Sequence, residues 1–295
     1  MVFYLSAIAL ALATLALSWG IFLSVKIFSL PDITTDGSYT LSAAVTAVAL
    51  SAGFPWYAAM PLAMLAGLLA GWATALIHTR LQVNPLLSGI LVMTGLYSIN
   101  LMVMGRSNIP LPEAENTLFG LGGLSAARGW QGPSFQLLAM VLISALLFVL
   151  LQRFLRTDYG LALRATGQSE AMLASMGVSV NAMKFAGLGL ANALTGLSGS
   201  LVCQYQQFAD INMGIGMVIT GLGSVMMGDA ISKALRWNSI SGQLLGVMLG
   251  CVLFRLIMAF TLASGADPNL MKLLNALVVL AFVALPQWKR KGASA

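Results

Sequence analysis

The chain has 295 residues, 59% of them hydrophobic and only 8% charged, with a mean hydropathy of +0.89 and a formal net charge of +6. A water-soluble domain carries about 25% charged residues on the surface it turns to solvent, so this composition excludes a soluble globular protein and predicts an outer surface that faces lipid. The Lys and Arg residues lie between apolar runs, not in a stripe interleaved with aromatics, which argues for membrane topogenesis and against a nucleic-acid partner.

A spanning helix needs about 20 apolar residues. Nine apolar segments are expected, at 2–29, 39–52, 56–78, 86–104, 134–155, 184–205, 212–230, 240–263 and 270–286. Helices are expected throughout, because a lipid-embedded helix keeps its backbone hydrogen bonds internal. The fold class is therefore an all-α integral membrane protein, with residues 1–295 forming one transmembrane domain. The opening run MVFYLSAIALALATLALSWGIFLSV lacks a basic start and a convincing small-residue cleavage site, so it is read as a retained first span.

The break after that span, Pro31 to Gly37, carries Asp32 and Asp36. The segment after it, 39–52, is short, and 212–230 is cut by Gly214, Gly216, Gly221, Gly223 and Gly228. Both are read as broken or half-crossing helices. Irregular backbone survives at membrane depth only where protein buries it or it lines water, and interrupted segments mark the cargo sites of internally repeated transporters. Thr34, Thr35 and Asp36 are therefore candidate pathway residues. Tyr97 and Asn100 in the fourth segment, and Asn192 in the sixth, are candidates as polar residues within apolar runs, with helix-to-helix hydrogen bonding as the commoner use of such residues. Arg255 in the eighth segment is either a pathway cation or a side chain that snorkels to the surface.

Gly67-x-x-x-Gly71 and Gly242-x-x-x-Gly246-x-x-x-Gly250 put glycines on one helix face and let backbones approach, either within the chain or between two copies. Cys203 and Cys251 both lie in apolar runs and read as packed thiols rather than a disulfide or metal pair. With one histidine, His78, no transition-metal site is expected. No Gly-x-Ser-x-Gly, paired-carboxylate or phosphate-loop pattern occurs, so neither catalysis nor a bound cofactor is expected in this chain.

Placing the C-terminal Lys289, Arg290 and Lys291 in the cytoplasm puts Lys26, Arg80, Arg153, Arg156, Arg164, Lys184, Lys233 and Arg236 on the same side, and the positive-inside bias then gives N-out, C-in. Residues 105–133 form an external segment with Arg106, Glu113, Glu115 and Arg128. Residues 156–183 form the only sizeable cytoplasmic segment. A polar break is expected at Thr166-Gly167-Gln168. A short helix over 169–176 should follow, capped by Ser169 and stopped by Gly177. Such a helix lies across the cytoplasmic face, either docking into a partner or resting on headgroups.

The stretch GLALRATGQSEAMLASMGVSVNAMKFAGLGLANALTGLSGSL resembles the coupling segment of ABC importer permeases, in the superfamily of branched-chain amino acid and ribose permeases. GLGSVMMGDAI is similar to a small-residue stretch of the same superfamily, departing from it at Met226, Met227 and Asp229. LPDITTDGSYTLSAAVTAVAL looks closest to a branch assigned to tryptophan or tyrosine uptake. The resemblance implies a type II-like importer permease working as a pair of copies with cytoplasmic ATPase subunits and an external solute-binding protein. ATP and Mg would bind in the ATPase, in a separate chain. Residues 164–177 would enter a cleft of that ATPase, with Arg164 and Glu170 as polar contacts beside Thr166, Gly167, Ala171, Ser175 and Gly177. The cargo implied is amino-acid-like. An ion-coupled secondary transporter is the alternative; it needs a carboxylate at mid-membrane depth, whereas the carboxylates here stand at segment ends.

Overall fold

The computed structural model describes residues 2–111, 117–120, 131–265, 270 and 273–281. Glu113, Glu115, Arg128, Lys272 and the C-terminal basic cluster lie outside these residues. The elements run α1 (Val2–Phe22), a π-helical turn (Leu23–Ile27), α2 (Thr34–Ser51), α3 (Trp56–Arg80), α4 (Pro85–Met104), β1 (Asn108–Pro110), α5 (Gln131–Phe154), α6 (Asp158–Gln168), α7 (Glu170–Ser175), α8 (Val180–Gln206), β2 (Phe208–Asp210), α9 (Met217–Ala234) and α10 (Ile240–Ala263). A last helix, α11, covers 273–281. Among the described residues six helices are long and apolar enough to cross a membrane: α1 with its π-turn, α3, α4, α5, α8 and α10.

Local chemistry sets the boundaries. Asn84 caps α4 by accepting a hydrogen bond from the Leu86 amide, with Pro85 at the first helical position, where a missing N–H costs nothing. Ser179, Ser239 and Thr157 cap α8, α10 and α6 in the same way. The two short strands pair antiparallel, with Ile109 opposite Ala209, and join the far ends of α4 and α8. This ribbon marks one end of the bundle; α6 and α7 mark the other.

The core is built around α8, which packs along α3, α1 and α2. Burial follows position: the apolar window of α8 is 83% buried and that of α5 only 17%, although α5 has the higher hydropathy. Glycines set the closest approaches. An added Cβ at Gly67 or Gly71 of α3 would run into the Asn192 or Leu188 carbonyl of α8, and one at Gly250 of α10 into α9 at Ser224 and Gly228. Both small-residue repeats thus serve packing within the chain.

Three boundaries differ from those expected. α2 starts at Thr34, not near residue 39, so Thr34, Thr35 and Asp36 form its first turn. Pro31 to Gly37 carries turn chemistry, yet the helix starts within it and other helices bury its polar residues. The interrupted seventh segment is a continuous helix from Met217, preceded by Gly216 at φ 87°. Thr166-Gly167-Gln168 is not a break: α6 runs through it to Gln168 and the chain turns at Ser169, whose side chain accepts from the Met172 amide to start α7. Gly177, at φ 78°, ends that turn as expected. The departure at Asp229 has a structural reason, an ion pair with Lys26 of the π-turn at 2.9 Å and with Lys233 at 2.8 Å.

Candidate substrate pathway and coupling face

Between the π-turn and α2 the chain turns back into the bundle, with the Ser24 hydroxyl donating to the Leu30 carbonyl. Asp32, buried, stands at the top of this re-entrant stretch. Its Oδ1 accepts from the Thr34 amide at 2.8 Å and its Oδ2 from Nδ2 of Asn192 at 2.7 Å. The Asn192 side-chain Oδ1 accepts from the Ser38 hydroxyl at 2.7 Å, and Thr34 shares a 2.6 Å hydroxyl contact with Thr74 of α3. This network locks α2 to α3 and α8. Asn192 lies near the middle of α8, about 18 Å of helix rise from its start at Val180, so α2 begins deep in the molecule.

One turn further on, Asp36 leaves α2 toward α9. Its two carboxylate oxygens accept from the Gly216 amide at 3.0 Å and the Val218 amide at 2.7 Å. It therefore caps the positive end of α9, whose free N–H groups attract an anion. Gly216 lies about 20 Å of helix rise from Asp229, the ion-paired residue toward the α6–α7 end.

Asp36 borders two cavities. One, of about 240 Å³, includes Met93, Tyr97 and Asn100 of α4 with Ile211 and Ile215 in its wall. The other, of about 450 Å³, includes Ile215, Thr220 of α9, Arg255 of α10 and Asn275 of α11. Asn100 is buried, donates to the Gly37 carbonyl at 3.3 Å, and leaves its own carbonyl oxygen without a partner among the described residues. The Arg255 Nε is likewise buried and unpartnered.

Of the six pathway candidates, Asp36, Tyr97 and Asn100 meet at a cavity. Thr34 and Asn192 belong to the buried network, and Thr35 is fully buried with its hydroxyl turned to the Asp32 carbonyl. Thr220 and Asn275 were missed; a lone Thr or Asn in an apolar run carries no local signal of facing a cavity. One sequence expectation is overturned. Asp32 and Asp36 do stand at the end of a segment, yet that end is deep in the bundle, so carboxylates at segment ends are not confined to the surface.

At the other end, α7 packs against α6 and the start of α8. Leu173 is its buried anchor, while Ala171, Met172, Ser175 and Met176 are exposed. Glu170 forms a 2.8 Å ion pair with Lys184 of α8, whose Nζ also reaches Nε2 of His78 on α3 at 3.4 Å. His78 Nδ1 faces the Val83 carbonyl at 2.8 Å, and a carbonyl only accepts, so Nδ1 carries the proton and Nε2 accepts from Lys184. Thr166 and Gly167 face inward: Thr166 is buried, and a Cβ on Gly167 would meet the Ile27 carbonyl. Arg164 is half-buried on α6. The described residues hold no group of three His, Cys, Asp or Glu suited to a metal ion.

Residues 1–283 match the family described as branched-chain amino acid transport system / permease component. The chain is 36% identical to a tyrosine transport system permease protein of Clostridioides difficile, over 94% of this chain and 88% of that one. It is 30% identical to an uncharacterised protein of Rickettsia prowazekii over 97% and 98% of the two chains. A ribose import permease protein of Haemophilus influenzae is 22% identical over 75% of this chain and 66% of its own. No solved structure matches the chain.

Proposed function

The chain belongs to the branched-chain amino acid transport permease family, and from that premise we propose that it is the membrane-spanning subunit of an ATP-driven importer in a bacterial inner membrane. Its ATPase and its external binding protein are separate chains, and the permease itself is non-catalytic. Two copies pair across the bilayer. The cargo is a small solute of amino-acid type, and the tyrosine transport permease among its relatives favours an aromatic one.

The observation that carries this reading is the construction of α7. Its exposed face offers Ala171, Met172 and Met176, an apolar surface for a partner's groove. The opposite face is tied through Glu170 and Lys184 to α8, the helix that holds Asn192. A push on α7 is thereby delivered to the helix on which the deep polar network hangs. The same end of the bundle carries Lys26, Arg80, Arg153, Arg156, Arg164, Lys184, Lys233 and Arg236, which supports placing it in the cytoplasm, N-out and C-in. The ribbon end then faces the binding protein.

In proteoliposomes holding the complete transporter, Met172→Asp is expected to lower stimulation of ATP hydrolysis by the loaded binding protein at least tenfold, with the permease still eluting as a folded complex. Undiminished stimulation removes α7 as the docking element. A specific observation also favours a second reading, ion-coupled secondary transport: Asp32 and Asp36 stand deep in the bundle, where a coupling carboxylate belongs. Uptake into vesicles driven by an ion gradient, with no ATPase present, would establish it instead.

A further inference from the structure

The larger cavity pairs opposite charges where a membrane protein seldom keeps any. Asp36 enters it from the first turn of α2 and Arg255 from α10, and among the described residues the two form no ion pair with each other. Asp36 is fixed in place by the Gly216 and Val218 amides. Arg255 is half-buried, its Nε is buried with no partner among the described residues, and it lies about 22 Å of helix rise from the start of α10 at Ile240 and about 12 Å from its end at Ala263. A guanidinium at such depth is costly unless something of opposite charge meets it. Both charges border one cavity of about 450 Å³, together with Thr220 and Asn275.

We propose that Arg255 and Asp36 are the two poles of a binding site for the zwitterionic backbone of a free amino acid. Arg255 takes the α-carboxylate, which its planar fork matches with two parallel hydrogen bonds. Asp36 takes the α-ammonium while it still caps α9. The side chain of the solute then enters the neighbouring cavity, which shares Asp36 and Ile215 and is walled by Met93 and Tyr97. In the empty site neither charge has an ion-pair partner among the described residues, Asp36 being held by the amides of α9 alone, and a bound zwitterion supplies the opposite charge to both at once. A neutral sugar does neither. The assignment rests on the amino-acid reading above and adds to it the residues that select the backbone.

The test uses the permease–ATPase complex in nanodiscs and equilibrium binding of each of the twenty radiolabelled L-amino acids in turn. For whichever binds, the decarboxylated amine and the deaminated acid serve as competitors. The wild type is expected to prefer the amino acid to both analogues by at least tenfold. Arg255→Gln is expected to bind it at least tenfold more weakly and to lose discrimination against the amine, yet keep discrimination against the deaminated acid. Arg255→Lys, which keeps the charge without the fork, is expected to fall between. Asp36→Asn should lose discrimination against the deaminated acid alone. If Arg255→Gln still rejects the amine as the wild type does, or if no amino acid binds the wild type, the proposal is overturned. Stimulation of the same complex by a loaded binding protein would then leave the importer reading standing, and its absence would bring down both.

Discussion

Asn192 shows how one buried side chain organises a region. It donates to Asp32 and accepts from Ser38, so removing it strands a buried carboxylate oxygen and leaves the Ser38 hydroxyl only its 3.4 Å contact with the Thr35 carbonyl. Asn192→Leu is therefore expected to destabilise the protein by about 2–5 kcal/mol. Melting of the detergent-solubilised permease checks this; a transition unchanged within error would mean that the network contributes nothing to stability. Asn192 was visible in the sequence as a polar residue in an apolar run, and Asp32 as a flank of the first break. Their pairing was not visible, because 160 positions separate them and nothing in local pattern links them. Thr74 carried less signal still. Its hydroxyl also donates to its own helix at Ala70, an ordinary use of Thr that hides the contact with Thr34.

At the scale of elements, hydropathy recovered the long apolar spans, including the enclosed α1 and α8, and blurred the two enclosed helices rich in Thr, Ser and Gly. Expected and observed limits nearly coincide for α3, α4 and α10, where an apolar surface faces away from the core. α2 and α9 were misjudged, since a helix enclosed by other helices is free to carry Thr, Ser and Gly. The glycine repeats were legible as close-packing faces, but only the structure shows that α3 meets α8 and that α10 meets α9. Gly71 provides the check. An alanine Cβ there would press on the Leu188 carbonyl and on Cβ of Asn192, both held in place by α8. Gly71→Ala is expected to cost about 1–3 kcal/mol through overpacking, whereas Gly95→Ala, with open space around it, should leave the melting temperature unchanged or slightly raised. Equal effects at the two positions would show that the α3–α8 approach yields easily.

For the molecule as a whole, one arrangement decides how everything else is read: the ribbon end and the α6–α7 end must lie on opposite sides of the membrane. Eight basic residues gather at the second end and Arg106 marks the first. The native thiols help in testing this, because Cys203 and Cys251 are both buried and should stay silent toward a bulky reagent. Asn212, beside the ribbon, and Gln168, at the end of α6, are both exposed. A membrane-impermeant maleimide added to intact spheroplasts is expected to label Asn212→Cys at once and Gln168→Cys only after the membrane is permeabilised. The reverse pattern would place α7 where no ATPase can reach it. An ion binding at Asp36, which borders both cavities, would then be the source of work to test.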